Sequence, residues 1–129
     1  MRRLAAVAAV LLFVCTSVWA DRPHIDYTTV TKTVRGSVAA TDTAFWTPAS
    51  GEKIILMGCA VESDTGGQTI EIEISDIDVI PPQRFESSGL RVISGGGAPI
   101  YETARDAVLR YTVSSNGNFS IMCWGYETP

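Results

Sequence analysis

The chain has 129 residues, with 10 basic and 14 acidic side chains, a formal charge of −4 and 46% hydrophobic residues. That length allows one domain with one core. The negative balance argues against nucleic acid or an anionic membrane surface as partner, because both demand a basic footprint.

The chain opens with a short basic region, Met1-Arg2-Arg3, then an apolar core from Leu4 to Val14. Val18-Trp19-Ala20 follows, with small residues at its first and third positions. This is the layout of a secretory signal peptide, residues 1–20, with cleavage after Ala20 and a mature domain over 21–129. A membrane anchor is the competing reading, but the apolar run falls short of the ~20 residues a span requires. A lipoprotein acylated at Cys15 fits poorly, since Val14 is bulky where a small residue is needed. The expected location is secreted, cell-surface or periplasmic, without membrane association once the signal is removed. Loss of Arg2 and Arg3 makes the remainder more acidic. Loss of Cys15 leaves Cys59 and Cys123, which in an exported chain are expected to pair. A loop of that length gives a disulfide worth ~4 kcal/mol in the chain-entropy account.

Tyr27 to Val34, rich in Thr and Val, has strand composition with a weak apolar face, as at a sheet edge. Gly36 ends it, and Val38 to Trp46 forms the next strand. In Thr47-Pro48-Ala49-Ser50-Gly51, Pro48 fixes φ and Gly51 permits a positive φ, the requirements of a turn. Glu52 to Val61 is the longest apolar run of the mature chain and lacks alternation. It reads as a central strand buried on both faces. After the turn Ser63-Asp64-Thr65-Gly66-Gly67, Ile70, Ile72 and Ile74 alternate with Glu71, Glu73 and Ser75, the mark of a half-buried strand. The parity then shifts to Ile77 and Val79, which predicts a bulge or bend near Ser75-Asp76, and Pro81-Pro82 ends the segment. Leu90 to Ile93 is a short strand and Gly95-Gly96-Gly97 a loop. Pro99 to Arg110 has mixed helical and strand signals, with room for one helical turn before Asp106. Asn116-Gly117 between Val108–Ser114 and Asn118–Tyr126 predicts a closing hairpin.

Eight or nine short strands with regular turn signals define an all-β, antiparallel sandwich. An immunoglobulin domain does not fit, because Trp46 precedes the first cysteine and only six residues follow Cys123. A jelly-roll-like sandwich fits better. Phe45-Trp46-Thr47-Pro48-Ala49-Ser50-Gly51-Glu52-Lys53-Ile54-Ile55-Leu56 resembles the Thr-Pro-Ala-x-Gly-Lys entry to a core strand in small bacterial and phage-associated structural β-sandwich domains. The terminal Gly125-Tyr126-Glu127 is similar to how some of those chains end. The resemblance implies a structural or adhesive role without a shared catalytic motif.

Catalytic constellations are lacking at the level of sequence. The one histidine, His24, sits beside Pro23 in a lead-in segment, without the orienting partner and rigid mount that catalysis needs. No nucleophile-elbow, phosphate-loop or zinc-protease motif occurs. The chain is therefore expected to be no enzyme, with no cofactor and no metal. Asp64, Asp76 and Asp78 could offer oxygens to calcium, but their spacing is not that of an EF-hand and they read as solvated acids. Asn118-Phe119-Ser120 matches a glycosylation sequon, pressed against a tight turn.

The last hairpin decides where a partner surface lies. A three-residue loop, Ser115-Asn116-Gly117, puts Phe119, Ile121 and Cys123 on the core face with Leu109, Tyr111 and Val113. A one-residue slip would exchange the faces. In the chosen register Cys123 meets Cys59 beside Ile55, Met57 and Val61. Met122, Trp124 and Tyr126 then form an outward ribbon together with Arg110 and Thr112, too apolar to stay wet without a reason. The expected function is an exported structural or interaction protein that self-associates or docks on a surface assembly, with a homo-oligomer or another surface protein as partner. The alternative is a carbohydrate-binding module, with a glycan stacked on Trp46, Trp124, Tyr126 or Tyr101.

Overall fold

The structure, a computed structural model, describes residues 29–75 and 77–129. The leader expected over 1–20, the cleavage expected after Ala20, His24 and Asp76 lie outside the described residues. Among these residues nine strands follow in order: β1 Thr29–Gly36, β2 Ala40–Trp46, β3 Lys53–Ser63, β4 Gln68–Ile74, β5 Ile77–Phe85, β6 Gly89–Ser94, β7 Tyr101–Glu102, β8 Leu109–Val113 and β9 Phe119–Thr128. They form two antiparallel sheets. The first runs β1-β9-β3-β6, with β7 continuing beside β3 on the β6 edge, and the second runs β2-β8-β4-β5. The chain passes from sheet to sheet after β1, β2, β3, β5, β7 and β8. That strand order is the jelly-roll arrangement of a β-sandwich.

The core lies between the sheets. Trp46, Ile54, Leu56, Val61 and Ile121 pack there against Ile70, Ile72, Ile80, Leu109 and Val113. Each such side chain taken out of water contributes ~1.5–3 kcal/mol, which is why the Ile70/Ile72/Ile74 alternation imposes its facing on β4. β3 is central to its sheet, as its apolar run predicts, and β1 is an edge strand.

Four local expectations are corrected or made specific. First, Asn116-Gly117 does not close a hairpin: β8 pairs with β2 and β4, whereas β9 pairs with β1 and β3. The Ser115–Gly117 loop is a corner between sheets, held by Gln68 Nε2, which donates to Ser115 O (2.9 Å) and Gly117 O (3.2 Å). A turn motif specifies that the chain reverses but not that the two arms pair. The facing still comes out as expected, because both arms present alternate residues to one core: Leu109, Tyr111, Val113, Phe119, Ile121 and Cys123 are all buried.

Second, of the bulge or bend expected after Ile74 the structure has the bend, which reverses the chain. Ser75 has φ 47° and Ile77 pairs back on Ile74. Third, Pro81-Pro82 does not end that segment, since β5 runs on to Phe85. Its partners Ile80↔Ile72 and Gln83↔Ile70 leave both prolines opposite Glu71. Prolines fit at such an irregularity on an edge strand, where no ladder hydrogen bond is lost.

Fourth, β3 carries a bulge at Met57, between the pairs Leu56↔Gly125 and Gly58↔Trp124. The extra residue changes the parity. Ile54, Leu56, Cys59 and Val61 face the core, whereas Ile55 is buried outside that cluster, opposite Tyr126. Pro99 to Asp106 contains no helical turn; it lies along β3, with Ile100, Thr103 and Asp106 N–H groups donating to Leu56, Ile54 and Glu52 carbonyls.

Candidate interaction surface

The outer face of the first sheet is built row by row from the strand registers. Cross-strand partners share a face, and alternate residues along each strand share it too. One row holds Arg35, Ser120, Glu62 and Leu90; the next holds Thr33, Met122, Ala60 and Val92. The third holds Thr31, Trp124, Gly58 and Ser94; the fourth holds Thr29, Tyr126, Ile55 and Glu102. Leu90, Val92 and Met122 are 62%, 60% and 40% exposed, so three of the five exposed large hydrophobics among the described residues fall in two adjacent rows. The half-buried Trp124 extends the patch, its indole lying over Gly58.

On the inner side of the same sheet, Cys59 and Cys123 form a disulfide between directly paired positions, Cα–Cα 4.1 Å. The bond lies between the Gly58–Trp124 and Ala60–Met122 pairs and ties β3 to β9 beneath the patch. Both cysteines are fully buried. The carboxyl-terminal strand is fastened at its far end too. Glu127 accepts hydrogen bonds from Trp46 Nε1 (2.8 Å) and the Ala49 N–H (2.9 Å). Burial pushes the Glu127 carboxyl up, but the bonds from Trp46 and Ala49 outweigh it and hold the group below its ordinary value.

Met122, Trp124 and Tyr126 thus come together on β9, as the sequence predicts, but Arg110 does not join them. It lies on β8 in the second sheet, where its guanidinium donates to Asp42 O (2.8 Å) and Asp42 Oδ2 (3.2 Å). Thr112 goes with it, donating to Glu73 Oε1 (2.8 Å). Both placements follow from the corner at Ser115–Gly117, which puts β8 and β9 on opposite sides of the sandwich. The residues that sequence reasoning missed are Leu90 and Val92. Their alternation on a short strand shows that they share a face, but nothing local shows that β6 lies beyond β3 on the Met122 side.

At one end of the patch lies a groove of about 600 Å³, lined by Arg35, Glu62, Asp64, Asn118, Phe119 and Ser120, among others. Asp64 accepts from Asn118 Nδ2 (2.6 Å) and Thr65 Oγ1 (2.8 Å), bonds that lower its carboxyl pKa. The sequon residue Asn118 is therefore engaged through its amide nitrogen. On the second sheet, carboxylate oxygens of Glu71, Glu73 and Asp78 lie within 4.8 Å of one another. Asp64 is not part of that group. Trp46 is fully buried and offers no face to a sugar, and Tyr101 packs against the core. No helix among the described residues is long and apolar enough to cross a membrane. A comparison with known proteins finds no family model that matches this chain and no curated sequence similar to it.

Proposed function

We propose that this protein is an exported, non-catalytic structural or interaction module that docks on other protein through the outer face of the β1-β9-β3-β6 sheet. The observation that carries this reading is the contiguous apolar patch of Leu90, Val92, Met122 and Trp124. A monomer in water rarely keeps such a patch exposed, and its usual purpose is contact. The disulfide supports export, because paired cysteines persist in oxidising compartments. It also makes the patch a rigid platform, which lowers the ordering cost of association. The resemblance to phage-associated structural sandwiches rests on the short Phe45–Leu56 and Gly125–Glu127 matches and agrees with a structural role.

The test is solution mass by light scattering, with hydrogen exchange read at β6 and β9, alongside a glycan-array screen. The reading expects an assembly in which amides around Val92 and Met122 gain protection. A monomer without such protection that binds glycans would replace it with the carbohydrate-binding alternative, in which Trp124 and Tyr126 remain as stacking surfaces.

A further inference from the structure

Asn116-Gly117 closes no hairpin, yet the corner before β9 requires both residues. Gly117 has φ 141°, and a Cβ there would collide with Thr65 Oγ1, so only glycine fits. Asn116 is exposed, and its Oδ1 accepts from the Ala39 N–H (2.9 Å). The Gly117 N–H donates to Ser37 O (3.1 Å). These two bonds tie the link between β1 and β2 to the corner. They also hold the two groups of a chemically labile pair. Asparagine is among the least durable side chains, and before glycine nothing shields the amide nitrogen that can attack it.

We infer that Asn116 is a site of spontaneous deamidation, closed in the folded protein by the Ala39 and Ser37 hydrogen bonds and open once the corner loosens. The reaction needs no reagent but water. The Gly117 nitrogen gives its proton to solvent and bonds to Asn116 Cγ. The Cγ–Nδ2 bond breaks, and Nδ2 takes a proton from solvent and leaves as ammonia. Water then opens the resulting succinimide ring. Opening at Cγ gives isoaspartate or aspartate according to which ring bond breaks: hydrolysis of the new Cγ–N bond gives aspartate, and hydrolysis at the main-chain carbonyl of residue 116 gives isoaspartate. In the fold the attack is blocked, because the Gly117 N–H is committed to Ser37 O and the Asn116 amide is held at Ala39. The two products differ in consequence. Aspartate keeps an oxygen for the Ala39 N–H. Isoaspartate adds a methylene to the main chain between Ser115 and Gly117, whose carbonyls Gln68 Nε2 holds together. The corner cannot then reclose as it was, and Asn118, which bonds Asp64 through both its carbonyl and its side-chain amide, is displaced with it. Opening thus becomes irreversible once the ring has formed.

The experiment is peptide mapping by mass spectrometry of the disulfide-intact protein aged in mildly alkaline buffer. It is run folded, folded in sub-denaturing urea, and reduced and unfolded in urea, with hydrogen exchange of the Gly117 amide followed in the two folded samples. The unfolded chain is expected to deamidate at Asn116 at least about tenfold faster than the folded protein. In sub-denaturing urea the rate is expected to rise in step with Gly117 exchange, because both need that N–H released from Ser37 O. Asn118, the chain's other asparagine, precedes Phe119 and should stay intact over the same period. Asn116→Gln should abolish the modification, since its longer side chain closes a ring far less readily. The isoaspartate fraction should melt below the unaged protein, whereas Asn116→Asp should melt within about 3 °C of it. An unfolded chain that does not react at Asn116 overturns the site. Equal rates in the folded and unfolded protein, or a rate that ignores Gly117 exchange, overturn the lock. An isoaspartate form that melts like the unaged protein overturns the effect on the corner.

Discussion

Gly58 lies directly beneath the indole of Trp124, its cross-strand partner. A Cβ at position 58 would sit 2.3 Å from Trp124 Cζ2 and 2.8 Å from Ile93 O, closer than real Cβ atoms come. Glycine follows the Met57 bulge and supplies the bare backbone that the ring covers. The ring in turn covers backbone that glycine leaves open. Gly58→Ala must push the indole off the sheet, since the Ile93 carbonyl cannot yield. The expected cost is about 1–3 kcal/mol, the usual penalty of overpacking, read in urea denaturation. Tryptophan emission should shift with it, because Trp46 is buried elsewhere and unaffected.

The Cys59–Cys123 bond closes a loop of 64 residues in sequence separation. Replacing both cysteines by alanine should lower stability by roughly 2–5 kcal/mol, measured as a drop in denaturation midpoint at constant slope. Unreduced intact mass should show neither cysteine alkylated. Two free thiols at these positions would contradict the structure and remove the main support for export.

Facing along β9 gives a paired test. Ile121→Ala removes a fully buried side chain and should cost about 2–5 kcal/mol. Met122→Ser, one residue on and 40% exposed, should change stability by about 0.5 kcal/mol or less. Thermal melts in dilute solution separate the two. Equal losses at both positions would mean that the strand is not facing as described.

Glu127 predicts a pH dependence with a definite sign. Its folded carboxyl is held below the ordinary value of 4.5 by Trp46 and Ala49, against burial. A depressed pKa stabilises the fold above the unfolded pKa and is lost as pH falls through the folded one. Glu127→Gln should therefore melt lower than the wild type at pH 7, and the gap should narrow below pH 4.5. A gap that stays constant across the acid range would show that the carboxylate form is not what the Trp46 and Ala49 donors favour.

Much of the fold is legible in local chemistry. The Ile70/Ile72/Ile74 alternation, the unbroken Ile54–Val61 run, and the glycines at turns (Gly51 and Gly67, each at φ 80°) define strands and reversals from contacts a few residues apart. Cys59 and Cys123, the pair expected of an exported chain, are joined in the structure. The inward set on β9, Phe119, Ile121 and Cys123, was readable only by placing Cys123 beside Cys59, since the alternating Met122 and Trp124 are apolar too.

Which strands become neighbours is another matter. Asn116-Gly117 states a reversal, and only the competition of β4 for β8 and of β3 for β9 makes it a corner instead of a hairpin. That competition separates Arg110 from Trp124 and brings Leu90 and Val92 to Met122, across more than 20 residues of sequence. The Met57 bulge is likewise invisible in an apolar run, because every residue around it could face either way. The sequence alone thus determined periodicity, turn positions and the disulfide, all set by local conformational preference or by cysteine chemistry. The tertiary structure decided the strand order, the parity of β3 and the make-up of the outer face, because these depend on which distant strands compete for the same hydrogen-bonding edge.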